Sequence, residues 1–321
     1  MSEQNQEYKT PIYLIAGFLE SGKTSLIKSM LEDDGFSAGE RTLIIQCEEG
    51  IEEYESELLR KSNAVVETVD ALSDLTPNYL ESLNGRYIPE RIIIEYNSVW
   101  GLENLFKIKK PDDWELAQMV ALIDSTTFDN YMTNMRQLMS EAPKLADLVI
   151  VNRCTESTEK SRIRRVIKAM NNTCNIMFEN TDGTADDGVG EEDLPYDMKA
   201  DIIEIKDEDF GIWYIDCMEH PNRYDGRTVR VKAQAFKVDN LPKRSYLVGR
   251  YAMTCCAADV GGIGFICRYM KKAPKEESWI TVTAKCEAAF SQIHNRDAIV
   301  LVETDCQPAE KPEDELVYFN R

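Results

Sequence analysis

The sequence predicts an α/β protein in two parts. A doubly wound, mostly parallel P-loop sheet is expected over residues 11–180, then a small five-stranded, OB-like β-barrel over residues 200–321. Three observations predict it. Residues 12–27 read IYLIAGFLESGKTSLI, an apolar run feeding G-x-x-x-x-G-K-T and then a helical stretch, the setting of a phosphate-binding loop. From residue 11 to 179, continuous Ile/Val/Leu runs alternate with helical stretches, as in strands buried on both faces of a parallel sheet. Past residue 200 the apolar period becomes two, that of strands with one buried face.

The first part offers the strand candidates PIYLIAG (11–17), TLIIQC (42–47), AVVETV (64–69), RIIIEY (91–96), MVALID (119–124), LVIVN (148–152) and CNIMFE (174–179). Helices fit between them, including Lys23–Leu31 after the loop and Ser161–Met170. Such a sheet binds its ligand at the carboxyl ends of the strands. Residues 1–10 read as a polar tail. Residues 181–199 read as an acidic linker, because NTDGTADDGVGEEDLP holds six carboxylates and no long apolar residue before Leu194.

The strand candidates of the second part are RTVRVKAQAFKV (227–238), YLVGRYAM (246–253), GIGFICRY (262–269), WITVTAKCEA (279–288) and AIVLVETD (298–305). Val229, Val231 and Ala233 alternate with Arg230, Lys232 and Gln234, and Ile280, Val282, Ala284 and Cys286 repeat the pattern. Five short strands in sequence suggest a closed or nearly closed barrel. The apolar phase slips between Ala235 and Phe236, so a bulge is expected there. The last stretch, QPAEKPEDELVYFNR, reads as a partly extended tail.

A chain of 321 residues is long for one core, so two domains are expected. The formal net charge of −20 argues against a nucleic-acid partner, which needs a basic footprint. The polar start MSEQNQEYKTP is no signal peptide, and runs such as MVALI and LVIV are too short to span a bilayer. A cytoplasmic location is expected. Nine cysteines and a nucleotide-type loop make a disulfide framework unexpected. With two histidines and no C-x-x-C or H-x-x-x-H pair, no closed zinc site of standard spacing can be read.

The loop defines a candidate site. Backbone N–H groups from Glu20 through Ser21, Gly22, Lys23, Thr24 and Ser25 are expected to wrap the β-phosphate at the positive end of the helix. Gly17 and Gly22 stand where a side chain would block that approach. Lys23 reaches the β/γ oxygens as the catalytic cation, and the Thr24 hydroxyl ligates Mg²⁺. A carboxylate ending a neighbouring strand must join it, and Glu95, directly after Ile92, Ile93 and Ile94, has that place. Glu48 or Glu49, ending TLIIQCEEG, offers another for catalysis.

LIAGFLESGKTSLI, VALIDSTTFDNY (120–131) and LADLVIVNRCTE (145–156) together resemble landmarks of the CobW/HypB/UreG family of metal-centre GTPases. CEEG, with Glu48 and Gly50, matches the family's glutamate and glycine after the second strand. The resemblance implies Mg²⁺–GTP hydrolysis, homodimerisation, and work in metal insertion or supply for a client protein. Three departures stand out. The family's Cys-x-Cys-Cys motif has no counterpart in AVVETVDALSDLTPNYLESLNG, and the Glu-x-x-Gly element reads EYNS, with Ser98 at the glycine. The guanine-reading Asn-Lys-x-Asp becomes Asn152, Arg153, Cys154, Thr155. A threonine hydroxyl cannot accept both hydrogen bonds that the aspartate takes from guanine. Asn152 can still brace the loop, the stem of Arg153 can cover a purine face, and Glu156 is a candidate substitute carboxylate. GTP is therefore inherited from the resemblance, and ATP stays open.

In the second part, RYDGRTVRV, GRYAMTCCAADVGGIGF and ESWITVTAKCEA resemble the C-terminal domain of YcgQ-like permease-subunit proteins. The resemblance implies a link to transport or metal homeostasis, with a membrane permease as partner and a position peripheral to it. Cys255, Cys256 and Asp259 could converge on Zn²⁺ if the chain turns there, with Cys267 as a further candidate. The alternative is that these cysteines are small core hydrophobes. Cys286, on an apolar face, reads as core, and Cys47, Cys154 and Cys174 as filler. His220 and His294 sit in polar contexts that give no catalytic reading.

Overall fold

Apolar runs without polar interruption become central strands here because both of their faces are covered. The structure, a computed structural model, describes residues 9–36, 39–48, 50–188, 194–238, 241–253, 260–291 and 296–319. Two compact units form, Met1–Thr158 with Thr173–Gly188, and Glu159–Asn172 with Val189–Arg321. Along the chain come β1 (Thr10–Gly17), α1 (Lys23–Glu32), β2 (Thr42–Gln46), α2 (Ser56–Lys61), β3 (Ala64–Thr68), α3 (Pro77–Tyr87), β4 (Arg91–Asn97) and α4 (Leu102–Lys107). Then follow β5 (Trp114–Asp124), α5 (Phe128–Asn134), α6 (Arg136–Leu145), β6 (Leu148–Cys154), α7 (Lys160–Met170), β7 (Asn175–Asn180) and β8 (Ala185–Asp186).

The sheet of the first unit has the order β3-β2-β4-β1-β5-β6-β7-β8, parallel throughout except for the antiparallel β7–β8 pair. The chain winds outward from β1 in both directions, so the loop after β1 opens at the crevice where the winding reverses. Every residue of β2 is buried, and so are Arg91 to Tyr96 of β4. Ile15, Ile27, Ile44, Ile93, Leu122 and Ile150 fill a core between α1 and these strands.

Register aligns the carboxyl ends. Gly17 pairs with Asn97 and Leu122, Gln46 with Glu95, and Asp124 with Asn152. Strand β5 starts at Trp114, ahead of the expected MVALID, because Trp114, Glu115 and Leu116 pair with Thr10, Pro11 and Ile12 although Glu115 and Leu116 are exposed. The expected linker is corrected at its start. Residues 181–186 belong to the β7–β8 hairpin, where Phe178 pairs with Asp186 and Glu179 with Ala185.

The second unit adds β9 (Ile203–Ile205), α8 (Phe210–Glu219), α9 (Pro221–Tyr224), β10 (Thr228–Phe236), β11 (Ser245–Met253), β12 (Val260–Arg268), β13 (Trp279–Ser291), β14 (Arg296–Pro308) and β15 (Val317–Tyr318). Its sheet has the order β15-β11-β12-β14-β13-β10-β9, and β10 also pairs with β11. The five long strands therefore pair in a ring, with β12 and β14 parallel and the other ring pairs antiparallel.

Alternation in β10 runs unbroken, with Val229, Val231, Ala233 and Ala235 buried, so the bulge expected at Ala235/Phe236 is absent. The register shift lies instead in the β13–β14 pair, between Thr283 and Ala284. Phe236 ends the strand against β11, where the ring closes, and this is why its phase looked displaced. Part of the C-terminal stretch is built in: Val317 pairs with Ala252, and Val317 and Phe319 are buried. Helix α7 groups with this unit, where Arg164 and Lys168 both pair with Glu219 of α8. Among the described residues no helix is long and apolar enough to cross a membrane.

Candidate functional site

The loop between β1 and α1 needs its glycines for close approach. A Cβ on Gly17 would meet Ser21 Oγ at 2.5 Å and the Leu122 carbonyl at 2.8 Å, so packing against β5 already excludes a side chain. Gly22, at the start of α1, has φ +96°, and a Cβ there would meet Asn152 Nδ2 at 2.7 Å. Glu20 also takes a left-handed conformation, at φ 60°. Ser21 is buried and Ser25 exposed.

Lys23 opens α1 with its side chain 3% exposed. Its ammonium donates to the carbonyls of Gly17 at 3.1 Å and Phe18 at 2.8 Å, and to Glu48 Oε2 at 2.7 Å. These three acceptors satisfy its three N–H donors, which makes a buried charge tolerable. Thr24 Oγ1 donates to Glu95 Oε1 at 2.6 Å, and the Tyr54 hydroxyl donates to Glu95 Oε2 at 2.7 Å. Glu95 is buried, and its charge adds to the burial that pushes the Tyr54 phenol well above its ordinary value. Burial, aided by Glu95 and Glu48, pushes the Cys47 thiol up to about 12, so Cys47 stays protonated and fills space.

Tyr54 belongs to a segment tied across the cleft from α1. Lys28 pairs with Glu52 at 3.1 Å and Glu55 at 2.7 Å, and donates to the Glu53 carbonyl. On the other side, Asn152 Nδ2 donates to the Ser21 carbonyl at 2.7 Å, bracing the loop from the end of β6. That bond fixes the amide orientation and leaves Asn152 Oδ1 buried without a hydrogen-bond partner. Arg153, at φ 54°, pairs with Asp124. Burial pushes the Asp124 carboxyl up, but hydrogen bonds from Thr126 and the Arg153 guanidinium outweigh it and hold Asp124 below its ordinary value. Thr155 is exposed, its hydroxyl shared with Ser157 at 2.9 Å and its N–H given to Thr158.

Two cavities open here. The first, of ≈ 240 Å³, is lined by Lys23, Thr24, Glu48 and Glu95, with the exposed Leu19 and Ile51 at its edge. The second, of ≈ 410 Å³, has apolar walls from Leu26, Leu122 and Ile150 and polar ones from Asn152 and Glu179. Gly22, Ser25 and Arg153 line both. The arrangement suits an extended anion with a flat, partly apolar head.

The structure thus brings Gly17, Glu20, Ser21, Gly22, Lys23, Thr24, Ser25, Glu48, Glu95, Asn152 and Arg153 to one end of the sheet. It leaves Glu156 out of both cavity linings. Sequence reasoning missed Tyr54, because an isolated tyrosine in an acidic loop carries no pattern. It also missed Glu179, although the end of strand CNIMFE lies three strands from the phosphate loop and could have signalled it. Thr24 and Glu95 present two hard oxygens side by side in a buried site, the donor type Mg²⁺ takes.

Glu49, Cys255, Cys256, Asp259 and His294 lie outside the described residues. Cys267 and Cys286 are fully buried in the second core, each pushed up to about 12 chiefly by burial. Among the described residues no group of three or more His, Cys, Asp or Glu side chains is placed to hold a metal ion.

Residues 11–178 match the model of the CobW/HypB/UreG nucleotide-binding domain, and residues 181–319 that of the DUF1980 C-terminal domain. The UPF0703 protein YcgQ of Bacillus subtilis (strain 168) is 27% identical over 124 residues, 38% of this chain and 43% of that protein. The chain thus spans less than half the length of this curated relative. These matches bear out both resemblances. Among solved structures, hydrogenase maturation factor HypB from Archaeoglobus fulgidus is similar at a TM-score of 0.40 and 16% identity, over 55% of this chain and 83% of that one. A zinc-bound triple mutant of the YjiA GTPase is similar at a TM-score of 0.41 and 15% identity, over 85% and 92% of the two chains.

Proposed function

Since the chain belongs to the CobW/HypB/UreG family, we propose that it binds and hydrolyses a Mg²⁺–nucleoside triphosphate, GTP, in a cycle that serves metal homeostasis or a transport partner. The observation that carries this reading is the buried double pair at the loop, Lys23 with Glu48 and Thr24 with Glu95. Buried charged groups that line a cavity, with side-chain contacts that a ligand can replace, mark a binding site.

In this reading the N–H groups of Glu20 to Ser25 hold the β-phosphate. Lys23 exchanges Glu48 for β/γ oxygens, and the freed Glu48 accepts a hydrogen bond from the attacking water. Mg²⁺ held by Thr24 and Glu95 would neutralise charge developing on the phosphate oxygens. Tyr54 keeps the Glu95 carboxylate turned toward Thr24.

The second unit is read as an OB-like barrel that docks a metal-dependent client or a permease at the membrane surface. Its ring order, β10-β11-β12-β14-β13, with one parallel pair supports that reading. A regulatory subunit with little turnover is the second reading. It is favoured by Ser98, buried in a 3₁₀ turn at the position of the family's glycine.

Phosphate release from GTP and from ATP, with and without Mg²⁺, tests the proposal. Wild type is expected to turn over only with Mg²⁺, and Lys23→Ala to lower nucleotide affinity by about a hundredfold, roughly 3 kcal/mol. Unchanged affinity and turnover in Lys23→Ala would sink the proposal. Mg²⁺-dependent binding with negligible turnover would favour the regulatory reading.

A further inference from the structure

We infer that Glu179, at the end of β7, is the carboxylate that reads guanine in this chain. The inference rests on the nucleotide reading above and names the specificity of the same site. Gly22, Ser25 and Arg153 line both cavities, so a nucleotide with its phosphates at Lys23 has the second cavity next to it for its base. There Leu26, Leu122 and Ile150 offer apolar contact to a ring. The exposed stem of Arg153, whose guanidinium is held by Asp124, can cover the opposite face.

The cavity's polar lining sets Ser29, Asn152, Arg153, Asn180 and Thr181 beside one carboxylate. Asn152 and Glu179 line it together, and the acceptor-only carboxylate in that lining is Glu179. The loop after Glu179 is locked to the loop after β6, because the Thr181 N–H donates to the Cys154 carbonyl at 3.0 Å. Neither Thr155, engaged with Ser157 and Thr158, nor Glu156 lines the cavity.

Guanine presents N1–H and an exocyclic amino group side by side, and a carboxylate can accept from both. Adenine presents one amino group next to a lone pair at N1, which a carboxylate repels. The cavity therefore selects guanine, through a residue from a different strand than the family's aspartate.

Equilibrium titration of GTP, ITP, ATP and XTP into wild type, Glu179→Ala and Glu156→Ala tests this. Wild type is expected to prefer GTP over ATP by about a hundredfold and over ITP, which lacks the amino group, by about tenfold. In Glu179→Ala the GTP/ATP ratio is expected to collapse to within about threefold, with ATP affinity kept as evidence that the loop is intact. XTP, whose carbonyl replaces the amino group, should bind better to Glu179→Ala than to wild type. A GTP/ATP ratio unmoved by Glu179→Ala, or moved instead by Glu156→Ala, overturns the inference and leaves the nucleotide reading standing. Failure of wild type to bind any of the four overturns both.

Discussion

Lys23 and Glu95 in the first unit and Arg250 in the second are all buried charges, yet their surroundings differ in kind. Lys23 and Glu95 line an open cavity, and their contacts with Glu48 and Thr24 are ones that phosphate and metal can replace. Arg250 is 1% exposed and closed in by its own fold. It donates to the carbonyls of Lys232 and Asp207, pairs with the Asp207 carboxylate, and lies between the rings of Phe210 and Trp279 at 5.2 and 5.1 Å. Burial pulls its guanidinium below the ordinary value even against Asp207. A buried charge closed in by its own fold is structural, and one that faces a cavity with partners that can leave is poised for a ligand.

The comparison breaks if the two classes respond alike to substitution. Arg250→Met is expected to give the largest stability effect, about 3 kcal/mol in denaturant melts, since it strands the Lys232 and Asp207 carbonyl acceptors and removes the ring contacts. Nucleotide affinity should be unchanged in that variant, and a linked loss would mean that Arg250 also serves the site. Glu219→Gln should cost about 2 kcal/mol, because Arg164 and Lys168 lose the negative charge they share.

Burial raises the Glu219 carboxyl, but the two cations outweigh it and its folded value lies below the ordinary 4.5. Its contribution is therefore present above pH 4.5 and lost as pH falls through the depressed folded value. Acid melts of wild type and Glu219→Gln should converge below that point, and curves that stay parallel would reject the account. Tyr54→Phe is the smallest expected effect. Loss of one hydrogen bond to Glu95 should weaken Mg²⁺-dependent nucleotide binding by about 1 kcal/mol, roughly fivefold, with Mg²⁺-free binding unmoved.

Helix α8 shows why part of the fold escaped the sequence. FGIWYIDCME buries Phe210, Trp213, Ile215, Cys217 and Met218, so its apolar residues spread around the helix and leave no one-sided stripe. Strands β8, β9 and β15 are two or three residues long, too short to carry a period. The bulge was misplaced for a related reason, because the exchange of partners from β13 to β11 at the end of β10 is invisible within one strand.

By itself the sequence determined the parallel sheet, the phosphate loop and the candidates Lys23, Thr24 and Glu95, because continuous apolar runs and a strand–loop–helix motif are local patterns. Only the tertiary structure decided what touches them. Strand order set Glu95 of β4 beside Thr24 of α1, Tyr54 against Glu95, and Glu179 of β7 along the same cavity as Asn152 of β6. These groups lie tens of residues apart, and parallel pairing with long crossovers brings them together without any local sequence signal.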